Sequence, residues 1–134
     1  MTEEFPEDLK YNKDYTWIKE GNEEKVSLGI IKPAADRIQK FVFIDLPEKG
    51  EKIEKGETYT SLEAMKWSGH LSSPVTGEIT DVNKELFQEP KKINKDPYGE
   101  WIAKIKIKDK EELEKLMNPE EAREWWKEKG KKQK

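Results

Sequence analysis

The sequence predicts a mostly β protein with short helices and a helix near its C-terminus, and three observations support that class. The middle of the chain is a series of β-branched and aromatic runs, residues 25–31, 40–45 and 58–65 among them. Turn chemistry separates these runs at Glu48-Lys49-Gly50, Lys55-Gly56-Glu57 and Asp96-Pro97-Tyr98-Gly99. Beyond residue 109 the apolar spacing changes from strand-like to helical.

The elements follow in order. Tyr15-Thr16-Trp17-Ile18 opens the β-rich body, and Lys25-Val26-Ser27-Leu28-Gly29-Ile30-Ile31 alternates as a strand. Residues 32–39 read as a short helix with Pro33 at its first position. Phe41 and Phe43, in the next strand, are expected to point into the interior. Pro74-Val75-Thr76-Gly77 has the residues of a tight turn, with Gly77 free to take a positive φ. Residues 78–82 form a strand, and Asn83 caps a helical turn through Leu86 and Phe87 that stops before Pro90. Residues 101–107 complete about seven strands. Leu113, Leu116 and Met117 fall at helical spacing, as do Ala122, Trp125 and Trp126, whose rings are expected to anchor that helix to the body. Asn118-Pro119-Glu120-Glu121 is a helix start, with a cap, a proline and carboxylates at the positive end of the dipole. Gly130 is the expected stop. The expected organisation is one domain over residues 1–134, with a β-rich body at about 15–108, a helical segment at about 109–130 and a frayed basic tail at 131–134.

Composition narrows the function. Of the 134 residues 41% are charged, yet 26 basic and 29 acidic side chains leave a net charge of −3. Five Trp, four Tyr and four Phe, with that near-neutral balance, argue for a packed core over disorder. No cysteine means no disulfide framework, no thiolate nucleophile and no cysteine-held metal. One histidine, His70, cannot supply a histidine-rich metal site. The acidic start, Met1-Thr2-Glu3-Glu4-Phe5-Pro6, lacks the apolar stretch of a secretory signal, and no apolar run approaches the ~20 residues of a membrane span. The acidic balance argues against nucleic acid as a partner. A cytoplasmic protein is expected.

Lys66 is set apart by its neighbours. A strand runs into Glu63-Ala64-Met65-Lys66-Trp67 and another leaves it, so the amine is expected at a hairpin tip in solvent. An enzyme that modifies a lysine needs that presentation. From spacing alone, an ordinary solvated lysine on a turn is the better explanation.

The wider context changes the balance. Glu63-Ala64-Met65-Lys66, with Pro74 eight residues later and then Gly77-Glu78-Ile79, resembles the attachment site of lipoyl and biotinyl carrier domains. Tyr15-Thr16-Trp17-Ile18, Val26-Ser27-Leu28-Gly29-Ile30 and the run from Phe41 to Gly50 resemble the glycine cleavage system H-protein family. So do Val82-Asn83-Lys84-Glu85-Leu86, the run from Ile93 to Gly99, and Trp101-Ile102. The resemblance spans about residues 11 to 127. It implies a hammerhead fold, a flattened barrel-sandwich of two antiparallel sheets with quasi-twofold symmetry. It also implies lipoic acid amide-linked to Lys66 within the context of Glu63, Ala64, Met65 and Trp67. Such a protein is a carrier and not a catalyst. Its implied partners are glycine decarboxylase, aminomethyltransferase and dihydrolipoamide dehydrogenase, besides the lipoate ligase or lipoyl transferase that loads it. The arm would take an aminomethyl group from the first, offer it to the second and be reoxidised by the third.

Two departures mark the arm's surroundings. Thr16 and His70 stand where the family has carboxylates, and both are candidate positions in the arm's pocket. Those carboxylates would be natural partners for a cargo ammonium. Ile31-Lys32-Pro33-Ala34-Ala35 also departs from the family's Thr-Asp-Tyr-Ala-Gln. An alternative resemblance, to H-like lipoate-binding proteins of a heterodisulfide-reductase-like sulfur-oxidation pathway, implies a sulfur cargo instead. A biotinyl carrier is kept open by Ala64-Met65-Lys66 alone.

Overall fold

The computed structural model describes residues 5–132. Its strands are β1 (Lys10–Tyr11), β2 (Thr16–Glu20), β3 (Lys25–Ile30), β4 (Phe41–Asp45), β5 (Lys52–Ile53), β6 (Thr58–Ala64), β7 (Trp67–Ser72), β8 (Gly77–Val82) and β9 (Ala103–Ile107). The helices are α1 (Lys32–Ile38), α2 (Glu85–Gln88), α3 (Lys92–Lys95), α4 (Glu111–Glu114) and α5 (Pro119–Lys132). Two open sheets result, one of six strands in the order β1-β2-β3-β9-β8-β5 and one of three in the order β4-β6-β7. Every ladder is antiparallel, and neither sheet closes into a barrel.

The two sheets contribute to one core. Leu28 and Ile30 of β3, Ile79 of β8 and Ile105 of β9 are fully buried, as are Ile44, Leu62 and Leu71 of the smaller sheet. Each such side chain contributes roughly 1.5–3 kcal/mol over leaving it in water. Helix α1 begins with Pro33 in its first turn, where a missing N–H costs nothing, and buries Pro33, Ala34 and Ala35. Helix α5 starts in a reciprocal cap. The Asn118 side chain accepts from the Glu121 N–H at 2.8 Å, and the Glu121 carboxylate accepts from the Asn118 N–H at 3.0 Å. The Glu51 and Glu57 carboxylates accept backbone N–H groups within their own turns, at 3.2 and 2.7 Å.

Several local expectations are corrected. Strands β1 and β5 are two residues each, too short to carry a period. Phe41 is buried, but the β4–β6 ladder bulges between Phe41 and Phe43, and Phe43 turns outward at 41% exposure against the ring of Phe87. Gly77 begins β8 and is not among the residues with positive φ; a Cβ there would run into the carbonyl oxygen of Lys106 on β9. Close strand approach is what requires that glycine. The Asn83 side chain does not cap α2; its amide donates to the Trp101 carbonyl at 2.8 Å and ties the two chain segments together. The stretch around Leu113 gives only the single turn α4, because Met117 instead exchanges backbone hydrogen bonds with Tyr11 at 2.8 and 2.9 Å. Gly130 does not end α5, which runs on to Lys132. Glycine stops a helix where it turns left-handed, and within a helix it costs only about 1 kcal/mol. The expected fraying at 131–132 is therefore replaced by helix, and residues 133–134 lie outside the described residues, as do 1–4.

Candidate functional site

Strands β6 and β7 pair down to Ala64 opposite Trp67, which leaves Met65 and Lys66 as a two-residue tip. The tip puts both side chains in solvent: Met65 is 80% exposed and Lys66 is exposed. Glu63 is exposed, whereas Ala64 and Trp67 are half-buried. The Trp67 indole folds back over Gly69, where a Cβ would come within 2.7 Å of the ring, and its other side meets Phe41 edge-on at 6.4 Å. The tip is thus braced by packing at its base while the lysine stays unencumbered.

Lys66 borders a cleft of about 430 Å³ whose other walls are Tyr15, Ala34, Arg37, Ile38, Gln39, Trp67 and Trp126. The walls come from β2's entry, α1, the hairpin tip and α5, segments far apart in the chain. Tyr15 joins them: its ring lies 5.9 Å from Trp126 and 6.2 Å from Trp125. The Arg37 guanidinium sits 4.6 Å from the Trp126 ring, and the Lys129 ammonium 5.1 Å from the Tyr15 ring. Two wall residues hold left-handed backbone, Tyr15 with φ 65° and Gln39 with φ 75°. Non-glycine residues adopt that region at a cost, and such residues gather where a binding surface must be held in shape.

The other two candidate pocket positions do not reach this cleft. Thr16 is fully buried at the start of β2, with its hydroxyl 3.0 Å from the Tyr59 hydroxyl. Burial pushes the Tyr59 phenol above its ordinary pKa, and the Thr16 hydrogen bond offsets part of that. His70 is exposed three residues beyond Trp67 on β7, so strand alternation turns it to the other face, with Nδ1 3.4 Å from the Ser61 hydroxyl. Thr16 and His70 are not among the residues that line the cleft beside Lys66, whereas Trp67 is. What sequence reasoning missed was Tyr15, Arg37 and Trp126 as cleft walls. Trp126 was legible only as an anchor, which it is through Tyr15; no local pattern tells which ring face is left open.

These surroundings fit a lipoyl group. A lysine at a rigid tip can be acylated without disturbing the core, and the adjoining cleft is within the size of small-ligand sites, with aromatic and aliphatic walls for a hydrocarbon arm. When bound there, the group supplies a disulfide that can open to a dithiol and carry a one-carbon unit.

Comparison with known proteins agrees with this reading of the fold and site. The family described as Glycine cleavage H-protein matches residues 9–129. A glycine cleavage system H protein of Coprothermobacter proteolyticus is 45% identical over 116 residues, covering 86% of this chain and 91% of that one. A probable glycine cleavage system H protein of Pyrococcus horikoshii is 40% identical over 122 residues, covering 90% and 91%. The crystal structure of a glycine cleavage system H protein from Mycobacterium marinum superposes with a TM-score of 0.80 at 30% identity, covering 94% of this chain and 99% of that one. With its antiparallel sheets, hairpin-tip lysine and match over nearly all its length, this chain belongs to the glycine cleavage H-protein family.

Proposed function

We propose that this protein is the lipoyl carrier of a glycine cleavage system, with the lipoyl group in amide linkage to Lys66. The observation that carries the attachment point is the two-residue tip, which holds an exposed lysine beside a cleft with room for its arm. The protein is a carrier and not an enzyme; the chemistry belongs to the cofactor and to the partner enzymes. Those partners are glycine decarboxylase, aminomethyltransferase and dihydrolipoamide dehydrogenase, together with the enzymes of lipoylation. Residues 1–134 act as one lipoyl-carrier domain. Glu63, Ala64, Met65 and Trp67 form the local shape that a lipoylating enzyme reads. No helix among the described residues is long and apolar enough to cross a membrane. We place the protein in the cytoplasm with its partners. The lack of cysteine suits the task, since no neighbouring thiol can trap the arm as a mixed disulfide.

The test is the intact mass of the protein isolated from its own cells. A lipoyl mass increment present in the native chain and absent from Lys66→Ala, with unchanged thermal unfolding, is the expected result. An increment that survives the substitution places the group on another lysine. Glycine-dependent loading of the lipoylated protein by glycine decarboxylase, against an H protein from a relative as control, then tests the pathway.

A further inference from the structure

The outer face of the six-stranded sheet carries charge of the opposite sign to the chain as a whole. Cross-strand partners share a face, so the registers arrange its side chains in rows. One row runs Lys52, Glu78, Lys106 and Lys25 across β5, β8, β9 and β3. The next runs Asp81, Lys104, Ser27 and Lys19 across β8, β9, β3 and β2. Lys19, Lys25, Lys104 and Lys106 therefore stand around Ser27 as one cluster, in a chain whose net charge is −3. Lys19, Lys52 and Lys106 are exposed, and Lys25 and Lys104 are half-buried. On the other side of the same strands, Val26, Leu28, Ile79 and Ile105 are buried in the core.

Stability does not account for this arrangement. Lys25 and Lys106 are directly opposite, where like charges destabilise a ladder. Carboxylates at the rim are engaged elsewhere, Glu20 with Lys10 and Glu24 with Lys110, each at 3.4 Å. Among the described residues, none of Lys19, Lys25, Lys52 and Lys106 is in an ion pair. The Lys104 ammonium lies 4.7 Å from the centre of the Trp101 ring, which holds it in place within the cluster. Cations gathered on one face attract an anionic surface and speed its approach. The rows hold no apolar side chain to enter a lipid layer, and an acidic chain is a poor match for a nucleic-acid backbone. Glu78 and Asp81, set among the lysines, suit a partner that presents patterned charge, as a protein does.

We propose that this lysine face docks an Asp- and Glu-rich surface of one of the carrier's partner enzymes. The inference rests on the carrier reading above. The core lies between this face and the three-stranded sheet that ends in Lys66, so a partner held here leaves the hairpin uncovered. Docking of this kind tethers the carrier, while transfer to and from the arm still takes place at the tip.

The test measures binding of the full-length lipoylated chain to purified glycine decarboxylase, aminomethyltransferase and dihydrolipoamide dehydrogenase by calorimetry, at low and at high salt. Carrier function is read separately, from glycine-dependent loading of the arm. At least one enzyme is expected to bind at low salt and to be released at high salt. Lys19→Glu with Lys25→Glu is expected to weaken that binding about tenfold. Lys91→Glu with Lys95→Glu, an equal change of net charge at exposed positions flanking and ending α3, is expected to leave it unchanged. Lys25→Glu sets a carboxylate opposite Lys106, so the fold is expected to withstand urea at least as well as before. A carbodiimide, which joins an amine to a carboxylate and takes up the water released, is expected to couple the Lys66→Arg chain to the enzyme through Lys19, Lys25, Lys104 or Lys106. The proposal is overturned by three enzymes that show no salt-dependent binding, by equal weakening in the two double variants, or by couplings confined to other lysines. Binding to anionic vesicles or duplex DNA in preference to all three enzymes overturns it as well. Normal loading without docking refutes this face alone, whereas docking without loading refutes the carrier reading.

Discussion

Two tryptophans in this molecule use the same device for different ends. Trp17 on β2 packs its indole over Gly29, its cross-strand partner on β3, and is 1% exposed. Its Nε1 donates to the Pro97 carbonyl at 3.0 Å, so no polar group is left unsatisfied. Trp67 on β7 packs over Gly69 of its own strand and stays half-open, because its surroundings are a hairpin tip and a cleft. In both places glycine makes room for an indole. Around Trp17 the chain closes over the ring and gains core; around Trp67 it leaves a face free and gains a wall for the arm. Burial decides which role a tryptophan takes.

The largest effect that tests this contrast is Trp17→Ala, expected to cost about 3–5 kcal/mol in urea unfolding, the usual range for emptying an aromatic site in a core. Trp67→Ala is expected to cost about 1–2 kcal/mol by the same measurement, since much of its ring already meets water. Equal costs for the two would break the distinction between a sealed ring and a wall.

A smaller effect sharpens it from the dry side. Thr16, next to Trp17, shares a hydrogen bond with Tyr59, whose phenol is pushed up by burial. Below pH ~10, the ordinary phenolic pKa, Tyr59 is neutral in both folded and unfolded chains, so no stability is lost there. Above it the unfolded chain releases the proton while the folded chain keeps it, and stability falls as pH rises. Tyr59→Phe is therefore expected to cost about 1 kcal/mol at neutral pH, for one buried hydrogen bond, and to flatten the alkaline decline. Tyr11, also pushed up by burial, contributes to the slope that is left, as does Lys92, which its hydrogen bond to Glu85 holds above the ordinary lysine value. An unchanged alkaline slope in Tyr59→Phe would show that water reaches the Thr16–Tyr59 pair.

Much of the architecture was legible in order along the chain. Strands β3, β4, β6, β8 and β9, Pro33 at the start of α1 and the Asn118–Glu121 cap of α5 all follow from local chemistry: period, ring geometry and a side chain reaching its own backbone. So was the hairpin that ends at Lys66, because a strand, two residues and a second strand are a local pattern. What local chemistry misread were residues whose role depends on a distant partner. Gly77 answers to Lys106, Asn83 to Trp101, Met117 to Tyr11, and Phe43 to a bulge in its ladder with β6.

The sequence by itself thus determined a mostly β fold with a lysine at a hairpin tip, since periodicity and turn chemistry act over a few residues, and its family resemblance marked that fold as a carrier's. Only the tertiary structure decided what surrounds that lysine. It buried Thr16, turned His70 to the far face and brought Tyr15, Arg37 and Trp126 to the cleft from segments separated by many residues. The physical reason is that a pocket is a property of which faces are left uncovered after packing. No single stretch of chain records that.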